Sequence, residues 1–238
     1  MQSKYTVPLE PDKFYHIYNR GNNGEMLFYK QENYKFFLRK YDNYFDDFLT
    51  THAFCLLPNH FHILAEIKSG KDILNSIFTK AKHKKLRQFF KLENLNDFSF
   101  LNTGNQQEIN DIINKSSADI SLALSKQFAF FFISNSKSIN KQEKRRGSLF
   151  EKPFKRILIQ SDKYYRSCMC YIHRNPEYHK ISDNFTSYTW SSYNRITESR
   201  KSKLPKDYII EKFGDKENYR IVHQKEQDID TISGIIID

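Results

Sequence analysis

The chain has little cysteine, little glycine and no long apolar run. Its 238 residues include three cysteines, seven glycines and six prolines. Cys55, Cys168 and Cys170 make neither a disulfide framework nor a four-cysteine zinc site. The pair in "CMC" would diverge on a helix, so all three read as reduced packing residues of an intracellular protein. No GxxxxGK[ST] phosphate loop and no HExxH zinc motif is present. Lys71 in "SGKD" lacks the upstream glycine and reads as a helix-start residue. No stretch approaches a membrane span, and "MQSKYTVPLEPDKF" lacks the apolar core of a signal peptide. The expectation is a soluble, cytoplasmic protein with no membrane partner.

Acidic residues are also in deficit: 28 against 38 basic, a formal net charge of +10. Residues 200–238 hold eight of each sign, so the whole excess lies in residues 1–199. Such an excess on a globular domain points to a polyanionic partner, most often nucleic acid. A basic protein kept soluble by its lysines is the plain alternative.

What is abundant is aromatic: 21 phenylalanines and 15 tyrosines. "KFYHIYNRG" (Lys13 to Gly21) reads as a strand ending in a glycine turn. Gln31 to Phe48 carries Tyr34, Phe37, Leu38, Tyr41 and Tyr44/Phe45 near helical spacing. Thr51 to Ile67 reads as a hairpin turning at Pro58-Asn59. Helical spacing returns over Lys71 to Phe90 and again over Asp119 to Asn140, and Lys152 to Ile159 looks like a last strand. Ser161 to Pro176 is a helix with Ser161 or Asp162 as N-cap and Pro176 as stop. Leu92 to Asn110 is Asn-rich without a steady period, and an insertion is expected over about residues 92–118. The order strand–helix–strand–strand–helix–strand suggests an α+β fold, a ferredoxin-like sandwich. It has an antiparallel sheet with helices on one face and a further helix after the last strand. Residues 1–199 are then the main domain, and residues 200–238 a basic linker with a mixed-charge tail.

Within "LPNHFHILAEI", Phe61, Ile63, Ala65 and Ile67 share one parity and are apolar. His60, His62, Leu64 and Glu66 share the other, so two imidazoles stand side by side on the face away from the core. Tyr171 and Asn175, four residues apart, share a face of the Ser161–Pro176 helix. If that helix lies on the histidine strand, two imidazoles, a carboxamide oxygen and a phenol converge. The first three give a divalent cation its ligands and leave positions for a phosphate oxygen. Each piece alone is common: an H-x-H in a strand is more often a surface pair. Tyr164 and Tyr165 compete as nucleophiles, but Cys168 and Met169 stand four residues after them.

The three regions together resemble a known family. "LLPNHFHILAEI" resembles the histidine–hydrophobic–histidine motif of the single-tyrosine transposases, and "FYHIYNRGNNGEMLFY" resembles their first strand and turn. "RRGSLFEKPFKRILIQSDKYYRSCMCYIHRNPEYHKISDNFTSYTWSSY" resembles their nucleophile-bearing block. The stretches span Phe14 to Tyr193 in the family's order and are most similar to its REP-associated branch. Insertion-sequence members typically carry glutamine where this chain has Asn175. The resemblance implies Tyr171 as nucleophile and His60, His62 and Asn175 as ligands of Mg2+ or Mn2+. It implies cleavage and rejoining of single-stranded or hairpin DNA through a 5′-phosphotyrosine, with a homodimer as a further candidate assembly. A DNA-binding regulatory protein that keeps the fold without transposition is the alternative, and a zinc hydrolase using water is a third.

DNA contact is expected from Lys144, Arg145, Arg146, Lys152, Lys155 and Arg156, with Phe150 and Phe154 available for stacking, and from Arg20 and Asn22 in the first turn. Lys80, Lys82, Lys84, Lys85 and Arg87 form another cluster, which reads equally well as a solvated basic face. His16, His52 and His173 read as structural or surface residues rather than ligands.

Overall fold

The computed structural model describes residues 6–90 and 105–225. Four strands, β1 (Phe14–Arg20), β2 (Leu49–Leu57), β3 (His60–Ile67) and β4 (Lys155–Ile159), form one sheet in the order β2-β3-β1-β4. Every neighbouring pair is antiparallel. Helix α1 (Gln31–Phe45) joins β1 to β2, and β2 and β3 form the expected hairpin. This is the strand order and connection of a ferredoxin-like α+β sandwich.

The parity of β3 divides two cores. Phe61, Ile63, Ala65 and Ile67 pack with Tyr15 and Ile17 of β1 against α1, α2 (Gly70–Thr79) and the 26-residue helix α4 (Ser117–Gln142). Leu64, with Ala53, Cys55 and Leu57 of β2, packs on the opposite face against α5 (Asp162–Tyr178). Both layers follow from period-two alternation in strands buried on both sides. All three cysteines are buried and unbridged. Among the described residues no helix is long and apolar enough to cross a membrane.

Four expectations need correction. The helix expected over Lys71–Phe90 stops at Thr79, and Ala81–Phe89 continues as a 3-10 stretch after Lys80 turns extended. Part of the unstructured insertion is helical: α3 (Gln106–Lys115) starts where Asn105 Oδ1 accepts from Glu108 N–H at 2.9 Å. The rest of that insertion, residues 92–104, lies outside the described residues. Pro176 does not end α5, which runs to Tyr178; proline forfeits one donor, and the next turn closes through His179 N–H to Asn175 O at 3.0 Å. Phe150 and Phe154 are core residues, 4% and 8% exposed, and offer no ring to a nucleobase.

Beyond residue 200 the chain forms α7 (Lys206–Phe213) and α8 (Lys216–Gln224), following the short α6 (Tyr193–Thr197). Ile209, Phe213 and Tyr219 bury against α5, so the stretch read as linker and tail is in large part a cover for that helix. The segment before α6 runs along β2, with Leu56 N–H to Trp190 O and Ser192 N–H to Phe54 O, both at 2.9 Å. It covers the β2 edge at Phe54 to Leu56.

Candidate active site

Register builds the site. Across the sheet His62 stands opposite Tyr18 and Cys55, and His60 opposite Arg20 and Leu57. Directly opposed residues share a face, so this face carries His60, His62, Tyr18 and Arg20, with His16 one pair further along β1. Helix α5 crosses the same face. Ser161 caps it by accepting from Tyr164 N–H at 3.2 Å. It is buried on nearly every side because the sheet lies beneath it and α7 and α8 lie behind it.

The expected side chains meet. The rings of His60 and His62 are perpendicular, with centroids 5.2 Å apart. Tyr171 stands edge-on to His62 at 5.5 Å. Burial, followed by the charge of His179, lowers the His60 ring to about 4, and Asn175 stands near enough to pull it back upward. Burial drives His62 well below its usual value. Both rings are therefore neutral at pH 7, the form that donates a lone pair.

Internal hydrogen bonds use one end of each group and leave the other. His60 Nδ1 donates to Asn59 Oδ1 at 2.7 Å, so its proton is on Nδ1 and its Nε2 carries the lone pair. His62 Nδ1 pairs with His16 Nε2 at 2.9 Å. Asn175 Nδ2 donates to Tyr171 O at 2.8 Å. What remains is His60 Nε2, His62 Nε2 and Asn175 Oδ1, each buried and without a hydrogen-bond partner. Two imidazole nitrogens and an amide oxygen fit a divalent cation. Among the described residues no three His, Cys, Asp or Glu side chains form a metal centre.

Tyr171 is 3% exposed. Tyr178, 43% exposed, stacks on it at 5.9 Å, and His179 packs edge-on against His60 at 4.5 Å. The last turn of α5 therefore roofs the site. Tyr165, the rival nucleophile, is buried elsewhere with its hydroxyl 2.7 Å from His52 Nδ1. The residues that the sequence did not point to are Tyr178 and His179; His16, read as structural or surface rather than as a ligand, is buried behind His62. His16 had a signal: Phe14, His16, Tyr18 and Arg20 alternate with buried Tyr15, Ile17 and Asn19, which repeats the pattern of β3.

The expected DNA contacts separate. Lys155 stands opposite Tyr18 on the site face, and Arg20, at the end of β1, ion-pairs with Glu151 at 2.5 Å. Lys144, Arg146 and Lys152 are exposed on the connection leading to β4. Arg156 has the opposite parity; its guanidinium lies over Phe154 and donates to Val7 O. Arg145 is held by Glu25 and Asn140. Asn22 donates to Ser148 O at 2.8 Å, and a Cβ at the preceding Gly21 would collide with the Glu25 carbonyl. In the other cluster Lys80 and Lys82 both pair with Asp47 and Arg87 donates to Ile77 O, which favours a solvated, internally paired face.

No family model matches the chain, and no curated protein matches it. Among solved structures the chain is similar to a REP-associated tyrosine transposase bound to a REP hairpin. The two are 16% identical over 83% of this chain and 86% of that one, with a TM-score of 0.48.

Proposed function

We propose that this protein cleaves and rejoins single-stranded DNA by passing a phosphodiester through Tyr171, with Mg2+ or Mn2+ held by His60, His62 and Asn175. One observation carries the conclusion: three buried polar atoms, His60 Nε2, His62 Nε2 and Asn175 Oδ1, have no hydrogen-bond partner, and the ring of Tyr171 stands edge-on to that of His62. An unsatisfied buried polar atom costs about 1–3 kcal/mol, so such a grouping belongs where a ligand makes up the missing contacts. A divalent cation bound there would draw negative charge from the scissile phosphate.

The chain's own residues do the rest. Tyr171 Oη bonds to phosphorus as the 3′-oxygen leaves, and the phenol proton ends on the released 3′-hydroxyl. One ester replaces another, so a returning 3′-hydroxyl can displace Tyr171 and reseal the strand without an outside energy source. Lys155 and Arg20 flank the site face and supply positive charge for the phosphates; Lys144, Arg146 and Lys152 extend it. Because Tyr171 is roofed by Tyr178, the incoming strand must displace that ring, which single-stranded DNA does more readily than a stacked duplex.

The test is incubation with an end-labelled hairpin oligonucleotide and Mn2+, read on a denaturing gel. A protein adduct on the new 5′ end of the downstream fragment, with a free 3′-hydroxyl on the upstream fragment, is expected. Cutting without an adduct would point to a water-using hydrolase, and tight binding without cutting to a regulatory DNA-binding module.

A further inference from the structure

We infer that His16 is a positioning residue for the cation: through its bond to His62 it sets which nitrogen of His62 faces the site with a lone pair. The inference rests on the ligand assignment proposed above.

The two bound imidazoles are anchored differently. His60 is tied to a carboxamide oxygen, which can only accept, so its Nε2 lone pair is fixed. His62 is tied to another imidazole. Its Nδ1 lies 2.9 Å from His16 Nε2, both rings are buried, and their planes are 20° apart. Two neutral imidazoles share one proton in that bond, and the proton can sit on either side. With the proton on His62 Nδ1, His16 accepts and His62 Nε2 is a lone pair aimed into the site. With the proton on His16 Nε2, His62 Nε2 carries hydrogen and cannot bind a cation.

His16 Nδ1 is the second half of the device. It is buried with no hydrogen-bond partner. In the cation-binding arrangement it must carry the remaining proton of His16, an N–H facing no acceptor. The pair therefore holds His62 in place and gives its Nδ1–H an acceptor, but favours the ligand tautomer less strongly than a carboxylate behind the ring would. A cation entering the site fixes the shared proton on His62 Nδ1. Metal binding by this chain is consequently coupled to the state of the His16–His62 pair.

The experiment measures Mn2+ affinity without DNA, from the electron paramagnetic resonance signal of free Mn2+, on wild type, His60→Ala, His16→Phe and His16→Gln. Phenylalanine keeps the ring but removes the acceptor, and ~10–100-fold weaker binding is expected, the usual effect of losing a group behind a ligand. Glutamine restores an oxygen that accepts from His62 Nδ1–H, and affinity within a few-fold of wild type is expected. A wild type that binds no Mn2+, or a His60→Ala protein that binds as tightly, overturns the ligand assignment itself. If those two behave as expected but His16→Phe binds like wild type, only the role of His16 is overturned. Should His16→Phe fail to fold, the 15N shifts of both His16 and His62 in wild type saturated with Mg2+ decide. A proton on His62 Nδ1 facing a lone pair on His16 Nε2 supports the inference, and a proton on His16 Nε2 ends it.

Discussion

Asn175 donates its side-chain N–H to the backbone carbonyl of Tyr171, 2.8 Å away. The bond joins the proposed third ligand to the proposed nucleophile, one helical turn apart. It also decides the direction of the carboxamide: with Nδ2 engaged, Oδ1 must face the histidines. A glutamine at this position would reach further and lose that tether, so asparagine here exchanges reach for a fixed direction.

Asn175→Asp should therefore do more harm than its size suggests. A carboxylate has no N–H to give the Tyr171 carbonyl, so two oxygens would face each other in a buried space. Mn2+ binding and cleavage should both fall, and the melting temperature should drop further than for Asn175→Ala. A calorimetric comparison of the two variants checks the order.

Tyr171→Phe removes one oxygen and keeps the ring that packs on His62. The variant should fold, bind hairpin DNA and Mn2+ within a few-fold of wild type, and give no adduct. Tyr164→Phe should stay fully active. Tyr165→Phe should cleave but lose stability by about 1–3 kcal/mol, since His52 Nδ1 would lose its buried partner. A covalent adduct formed by Tyr171→Phe would refute the assignment.

Alanine at His60 or His62 should abolish cleavage while leaving most DNA affinity, which comes from phosphate contacts elsewhere. Filter binding and gel assays on the same preparations separate the two effects. Cleavage at the parental rate by both single variants would rule these histidines out as ligands.

Strand parity makes a paired prediction for adjacent residues. Lys155→Ala should weaken single-stranded DNA binding and lower the slope of log affinity against log salt by about 0.7. Arg156→Ala should leave that slope unchanged and instead destabilise the fold, because its guanidinium faces Phe154 and Val7 O. Salt titrations and thermal melts distinguish them; a slope change in Arg156→Ala alone would invert the assignment.

Acid should unfold the protein through its buried histidines. His223 is held at about 3 by burial, against the pull of the Tyr219 carbonyl; Arg174 adds its positive charge, and His173 Nδ1 lies 2.8 Å from its Nε2. The folded state keeps this ring neutral while the unfolded state protonates it below about 6.5, so stability is lost as pH falls from there toward 3. Each unit in that window removes up to about 1.4 kcal/mol. Urea midpoints between pH 7.5 and 5 should decline, and less steeply in His223→Phe. Equal slopes in both proteins would assign the acid sensitivity to other groups.

Much of this was legible in the chain because periodicity carries it. The alternation of Phe61, Ile63, Ala65 and Ile67 with His60, His62 and Leu64 marks one core face and the opposite face that carries the imidazoles, and the Tyr171–Asn175 spacing needs only a capped helix. Pairing across strands is different. That His16 bonds His62, or that Lys155 rather than Arg156 takes the site face, depends on register, which no local pattern states. The helices at Lys206–Phe213 and Lys216–Gln224 were hidden by their charged composition. Their apolar positions are few, and they matter only because α5 needs a cover on its second side.

Strand and helix, imidazoles and phenol, all come from a single polypeptide, and α7 and α8 hold α5 down on the sheet that bears its partners. Subunit exchange is thus not needed to assemble the site. Specific activity should be independent of protein concentration, and a mixture of Tyr171→Phe and His60→Ala proteins should show no complementation. Under the proposed mechanism each chain makes and breaks its own phosphotyrosine.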